Sequence, residues 1–383
     1  MSKSGKLCPE KKSGKIIKIV ATIFGVVLSL AIAYVVYVVA YYHRIPDNQI
    51  LEIVPAKILS ADADKASESE ESQFVDYSMV SVDREYTIVS YNVGFGAYSP
   101  SFTFFMDGGK KSWAESKKSA TNLITGAANL ALSFEPDFVL YQEIDVDSTR
   151  TYHLNELDIF AQLMPEYNYT FAVNYDSAFL LYPFYEPHGA SNAGIATFSK
   201  YDISSSLRRS LPVSSDFNKL LDLDRCYSIN RIPVENGKEL VIINIHMSAY
   251  GGTEAVRTGQ TAMLREEMAR EYAAGNYVIV GGDYNHNLKI YADADNSGWA
   301  HAYDRAMIPD GFMFAIDLIP EEERNALHNT CRDAGIPYSV ACPTVTLDGF
   351  IISENIQCVE YINSDNGYAY SDHDPVVMKF ILN

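Results

Sequence analysis

The chain closes on YAYSDHDPVVMKFILN, where Asp372 and His373 stand immediately before an apolar terminal run. The same juxtaposition recurs upstream. Asn92 follows TIVSY, Glu143 closes DFVLYQE, His246 closes ELVIINIH, Asp283 and Asn285 follow YVIVGG, and Asp348 opens DGFIIS. Turns are served by Gly, Asn, Asp or Ser and have no use for Glu or His, so such a series points to chemistry rather than chain reversal. The set offers carboxylate, carboxamide and imidazole but no thiol. That favours Mg²⁺, or Mn²⁺ or Ca²⁺, over zinc. No C-x-x-C or Cys/His zinc spacing occurs in the sequence.

These residues must be positioned by the runs they border. The runs have strand length, several are rich in Val and Ile, and NAGIATFS is another of the kind. Between them, residues 113–134 carry apolar side chains at helical spacing and stop before Pro136, and residues 254–274 do so up to Gly275. Strands alternating with helices, without an internal repeat, predict one α/β domain over residues 84–383. Loops at one edge of layered α/β sheets converge on a common cleft, so residues spread from Asn92 to His373 can meet there.

The ordered series SYNVGFG, YQEID, NAGIATFSKY, NIHMSAYG, GGDYNHN, LDGFIIS and SDHDPV resembles the endonuclease/exonuclease/phosphatase superfamily. That superfamily includes pancreatic-type deoxyribonucleases, abasic-site endonucleases, inositol polyphosphate 5-phosphatases and neutral sphingomyelinases. The resemblance implies a four-layer sandwich, two mixed β-sheets packed face to face with helices outside, and a divalent-metal-dependent attack of water on a phosphate ester. Matched motif by motif, it implies that Glu143 is the principal metal ligand, supported by Asn92, with Asp372 a further metal-site acid. Asp283 and Asn285 match the pair that orients the attacking water and the phosphate oxygens. His246 matches the histidine that contacts phosphate and assists the leaving group, with Met247 where Leu is common. His373 matches the catalytic histidine, held by Asp348. The physics agrees: a cation and an imidazolium set against developing phosphate charge stabilise the transition state, and a carboxylate fixes the tautomer of the imidazole beside it. The acceptor of the water's proton stays open between Asp283 and His373.

Three more residues are candidates for binding substrate phosphate. Arg225 and Arg231 lie on a strand before His246, from which one of them can reach phosphate, with a surface ion pair as the alternative use. Asn192 in HGASNAG either binds phosphate or shapes a turn with Gly189 and Gly194. His153, His286, His301 and His328 read as loop residues. The aromatic stretch of residues 179–185, FLLYPFY, is either a rim that grips a lipid or a base, or a buried connection. The substrate is therefore a phosphate ester of a small molecule, a lipid headgroup or a nucleic acid. A nuclease wants a basic groove, for which Lys110-Lys111, Lys117-Lys118 and Arg208-Arg209 are the candidates. A non-catalytic binding module has no need of the intact acid and histidine set.

At the N-terminus, residues 19–42 contain no charged side chain and follow six lysines within residues 1–18. Such a run is long enough to span a bilayer as a helix, and the lysines hold its N-terminal side in the cytoplasm, leaving the catalytic domain outside. A signal peptide cut after Ala31-Ile32-Ala33 is the alternative. Of 30 basic and 49 acidic residues, six lysines and Glu10 fall in that first segment, so the remainder carries a net charge of −24. An exterior so acidic repels polyanions. Residues 43–83, with ADADKASESEESQ, read as an acidic stalk. Cys226, Cys331, Cys342 and Cys358 are even in number and could pair outside the cell, Cys331 with Cys342 closing the shortest loop, while Cys8 lies on the lysine side.

Overall fold

The computed structural model describes residues 10–57, 78–214, 216–220, 222–248, 253–291 and 300–383. Cys8 and residues 58–77 of the expected stalk lie outside them. The chain divides into two compact units after His43. The first contains helix α1 (Glu10–Tyr41), whose segment Gly14–Tyr41 includes an 18-residue window of mean hydropathy 2.6 and is long and apolar enough to cross a membrane.

The second unit is built on two seven-stranded mixed sheets. One runs β1 (Gln49–Ile50), β7 (Ser205–Ser210), β8 (Cys226–Pro233), β9 (Glu239–His246), β10 (Tyr277–Asp283), β14 (Asp348–Ser353), β11 (Phe312–Phe314). The other runs β15 (Ile356–Asn363), β16 (Val376–Leu382), β3 (Glu85–Asn92), β4 (Phe138–Asp145), β6 (Gly189–Ser199), β5 (Asn168–Leu180), β2 (Ile53–Val54). A short ladder of β12 (Cys331–Arg332) and β13 (Thr344–Val345) completes the described strands.

The strand periodicity of two sorts side chains between layers. In β3 and β4, Ile88, Phe138 and Leu140 face Ile242, Ile279 and Phe350 of the other sheet. Their alternates Val89, Val139 and Tyr141 pack outward on Ile124 and Ala127 of α2 (Lys117–Leu132) and Phe160 of α3 (Glu156–Leu163). On the other sheet's outer side, Leu264 and Met268 of α4 (Glu254–Ala273) belong to the core. Both long helices start at hydroxyl caps: Ser116 accepts from the Ser119 amide and Thr253 from the Val256 amide. This is the expected sandwich of two packed mixed sheets flanked by helices.

The stalk expectation needs correction over residues 44–57. Ile50 pairs with Leu207 and Ile53 with Thr170, so the segment adds an edge strand to each sheet. Arg44 pairs with Asp224, the Ile45 amide donates to the same carboxylate, and Leu51 is buried. Apolar residues between the charged ones, Ile50, Leu51, Ile53 and Val54, suit sheet edges rather than a solvated linker. The four described cysteines are free thiols.

Candidate active site

Three adjacent strand ends set one row of the site. Asp283 pairs in register with His246 across the parallel β9–β10 ladder and with Asp348 across the antiparallel β10–β14 ladder. The facing sheet brings a second row, because Asn92 ends β3 level with Gln142 of β4. Glu143, next in line, has φ 60° at a β-bulge where β4 loses register with β6 between Tyr141 and Ile144. Bulges redirect single side chains out of the pleat, here toward the opposite sheet.

The two rows touch. The Asn92 amide nitrogen lies 3.0 Å from Asp283 Oδ2 and 3.3 Å from Glu143 Oε1. His246 Nε2 stands 3.6 Å from Asp283 Oδ2 and 3.8 Å from Glu143 Oε1. Asn285, also left-handed at φ 51°, donates to Met247 O, while its backbone amide donates to Asp283 Oδ1 at 2.8 Å. The loop before β16 supplies the rest. His373 Nδ1 is 2.7 Å from Asp348 Oδ2, and His373 Nε2 is 3.9 Å from Asp283 Oδ2. Ser371 Oγ donates to Asn92 O and sits 3.2 Å from Asp372 Oδ1. Asp374 serves that loop instead: it meets the His328 ring at 2.9 Å and accepts from the Asn366 and Tyr368 amides.

Burial and like charge shape the electrostatics. Burial, then the neighbouring Asp348, pushes the Asp283 carboxyl up to about 7. Burial and Asp372 raise Glu143. Burial pulls His373 down, but Asp348 outweighs it and carries the imidazole well above its ordinary range. His246 is held neutral by burial and by the charges of Arg225 and His373. Glu143, Asp283 and Asp372 line one cavity of about 490 Å³ together with Arg150, Arg225 and His373, and the acids offer oxygen donors. Such a set fits a hard divalent ion.

Of the three expected phosphate contacts, only Arg225 lines this cavity. Arg231 is elsewhere: it pairs with Glu239 at 2.6 Å and Glu271 at 2.5 Å. Because β8 runs antiparallel to β9, with Arg231 opposite Val241, five residues of strand carry it roughly 17 Å from the His246 end. Asn192 is absent from the cavity wall; its backbone clamps Val146 and Asp147 through mutual hydrogen bonds. His153 pairs with Asp147 away from the cavity. Conversely, Arg150, Asn174, His188 and Cys331 line it without having been anticipated. Arg150 gives two nitrogens to Asp145 and lies 3.6 Å over the Phe95 ring. Its place seven residues after Glu143 was the available signal; a bulge such as the one carrying Asn174 leaves none.

A family model, described as Endonuclease/Exonuclease/phosphatase family, matches residues 89–354. The chain belongs to this family. Members are hydrolases acting on phosphodiester bonds and generally use divalent metals. Among solved structures, an endonuclease/exonuclease/phosphatase from Beutenbergia cavernae is 15% identical with a TM-score of 0.55, over 78% of this chain and 72% of that one. The human Nocturnin catalytic domain with bound sulfate anion is 17% identical, TM-score 0.51, over 78% and 95%. A Bacteroides vulgatus endonuclease/exonuclease/phosphatase is 14% identical, TM-score 0.51, over 79% and 100%. These likenesses concern the fold. No curated protein matches the sequence.

Proposed function

We propose that the chain is a divalent-metal-dependent phosphoesterase, a phosphodiesterase or phosphomonoesterase, acting on small or lipid-borne phosphate esters. The observation that carries this reading is the meeting of Glu143, His246, Asp283, Asn285 and His373 from both sheets at one cavity, with Asn92 and Asp348 hydrogen-bonded to them. Glu143 and Asp372, with Asn92, would hold Mg²⁺, or Mn²⁺ or Ca²⁺, which supplies positive charge to the phosphate oxygens. His246 and Asn285 orient the phosphate. Asp283 directs the attacking water. His373, fixed through Nδ1 by Asp348, presents Nε2 as a charged donor where negative charge develops.

The nuclease alternative finds less support in the basic pairs proposed for its groove. Of the three basic pairs, Arg208 is fully buried and bonded to Val173 O, Pro46 O and Asp224 O, and Arg209 is paired with Asp47 and Glu267. Lys111 lies 3.6 Å from Glu186. The aromatic stretch favours a lipid-facing rim, since Tyr182, Phe184 and Tyr185 are 65–83% exposed. In this reading α1 anchors the protein with its lysine-rich side in the cytoplasm and the catalytic unit outside.

The test is a parallel assay of the full chain with Mg²⁺ or Mn²⁺ against bis-p-nitrophenyl phosphate, supercoiled plasmid and phospholipid vesicles. Hydrolysis of the first and third, abolished by EDTA, is expected. Plasmid nicking alone would favour the nuclease, and inertness toward every phosphate ester would remove both. Protease accessibility in intact cells checks the orientation.

A further inference from the structure

Glu143 is not the only side chain that a bulge sends into the cavity. On the other flank of β6, the register passes from Val173 opposite Gly194 directly to Tyr175 opposite Ala193, which leaves Asn174 as the extra residue. The bulge that delivers Glu143 closes on the same Gly194, which pairs with Ile144. A side chain at Gly194 would meet Ala172 O at 2.3 Å, so the two bulges can share that point only because it is glycine.

Asn174 is 1% exposed, lines the cavity, and neither its amide nitrogen nor its amide oxygen has a hydrogen-bond partner. Arg225 adds two unpartnered nitrogens, Nε and Nη1, while its Nη2 lies 3.9 Å from Asp222. His188 Nδ1 is likewise unpartnered, its Nε2 being 3.5 Å from Ser191 Oγ. Buried polar atoms are almost always satisfied, and five unpartnered atoms on three side chains lining one cavity point to what a ligand supplies there. Whichever way the Asn174 amide is turned, it presents one donor and one acceptor. The ligand must therefore donate as well as accept, which an unprotonated phosphate oxygen cannot do and a hydroxyl can. Arg225 calls for an acceptor-rich neighbour, and Phe95, Tyr98 and Phe104 give an apolar wall for the carbon face of the same group.

We infer that Asn174, Arg225 and His188 form a specificity subsite for a hydroxyl-bearing group on the substrate, so that the preferred esters are polyol or sugar phosphates, free or as a lipid headgroup. This rests on the phosphoesterase reading for the scissile phosphate, but recognition by the subsite does not need turnover. Leucine at position 174 keeps the shape and removes both orphan atoms, so the variant should fold at least as well as the parent.

The experiment is calorimetric titration of the detergent-solubilised full chain, in EDTA to prevent turnover, with sorbitol 6-phosphate and with hexyl phosphate. Sorbitol 6-phosphate should bind about tenfold tighter or more, and Asn174→Leu and Arg225→Gln should each bring the two within about twofold. Vesicles of phosphatidylcholine with phosphatidylglycerol, compared with phosphatidylcholine and phosphatidic acid, form the lipid arm. A preference there that Asn174→Leu removes assigns a headgroup; a preference confined to the soluble ester assigns a free substrate. Equal or absent binding of both members of each pair by the parent protein overturns the subsite, as does a folded Asn174→Leu variant that keeps the preference. Failure to hydrolyse any phosphate ester with Mg²⁺ or Mn²⁺ overturns the phosphoesterase reading alone and leaves a measured hydroxyl preference standing.

Discussion

Asp283 and Asp348 face each other across the β10–β14 ladder and bracket one imidazole, His373, whose Nδ1 is 2.7 Å from Asp348 and Nε2 3.9 Å from Asp283. The two acids are equivalent in register and unequal in task. Asp348 Oδ2 also accepts from Thr330 Oγ1 at 2.7 Å, so it is a fixed anchor for the ring. Asp283 opens on the cavity with Asn92 and Asn285 as its donors.

Asp348→Asn should therefore lower kcat by about 10²–10⁴, since the amide can leave the wrong nitrogen of His373 protonated. The cavity and its contents stay in place, so KM should change far less. Steady-state kinetics on bis-p-nitrophenyl phosphate decides; a variant within twofold of the parent would show that His373 needs no orienting acid.

The crowd of carboxylates around Glu143 predicts that a cation stabilises the fold. Mg²⁺ or Mn²⁺ should raise the thermal midpoint in a concentration-dependent way, and EDTA should reverse it. Glu143→Gln should blunt that response and cost about 100-fold or more in rate. A metal-independent melting curve would contradict the assignment.

Arg231 should matter to stability and not to catalysis. Its guanidinium holds Glu271 and Glu239, so Arg231→Ala should cost about 1.5–3 kcal/mol in urea unfolding. No change in KM is expected, and a selective rise in KM would put Arg231 back among the substrate contacts.

His188 should make stability depend on pH. Burial and the charge of Arg150 push its imidazole down to about 3, from an ordinary 6.5. As pH falls below 6.5 the unfolded chain takes up a proton that the folded protein refuses until about 3. Stability is thus lost across that window, by about 1.4 kcal/mol per pH unit. Denaturant unfolding at pH 7, 5.5 and 4.5 should give a shallower slope for His188→Gln than for the parent; parallel slopes would rule the histidine out.

The strands that end at the catalytic residues were readable because they are continuous apolar runs closed by a group that turns do not need. Strand β5 was not, and the inward face of β8 was not, for a physical reason. Their inward positions carry Thr170, Ser228 and Asn230, which satisfy one another and Thr197 between the sheets, and such polar residues read as loop. Register was equally hidden. It separates Arg225, just before the site end of β8, from Arg231 further along the same strand. It also makes Asn174 the odd residue of a bulge rather than one more position in an alternation.

The segment from Arg44 to Lys57 bears on how the protein could be shed. A protease cutting between residues 58 and 77 would sever the chain without separating its parts. The N-terminal fragment would remain laced to both sheets through Ile50, Ile53, the Arg44–Asp224 pair and the Lys57 amide on Pro165 O. If α1 anchors the protein as proposed, liberation of the catalytic unit requires a cut before Arg44, and a molecule nicked after Lys57 would stay where the uncut one resides.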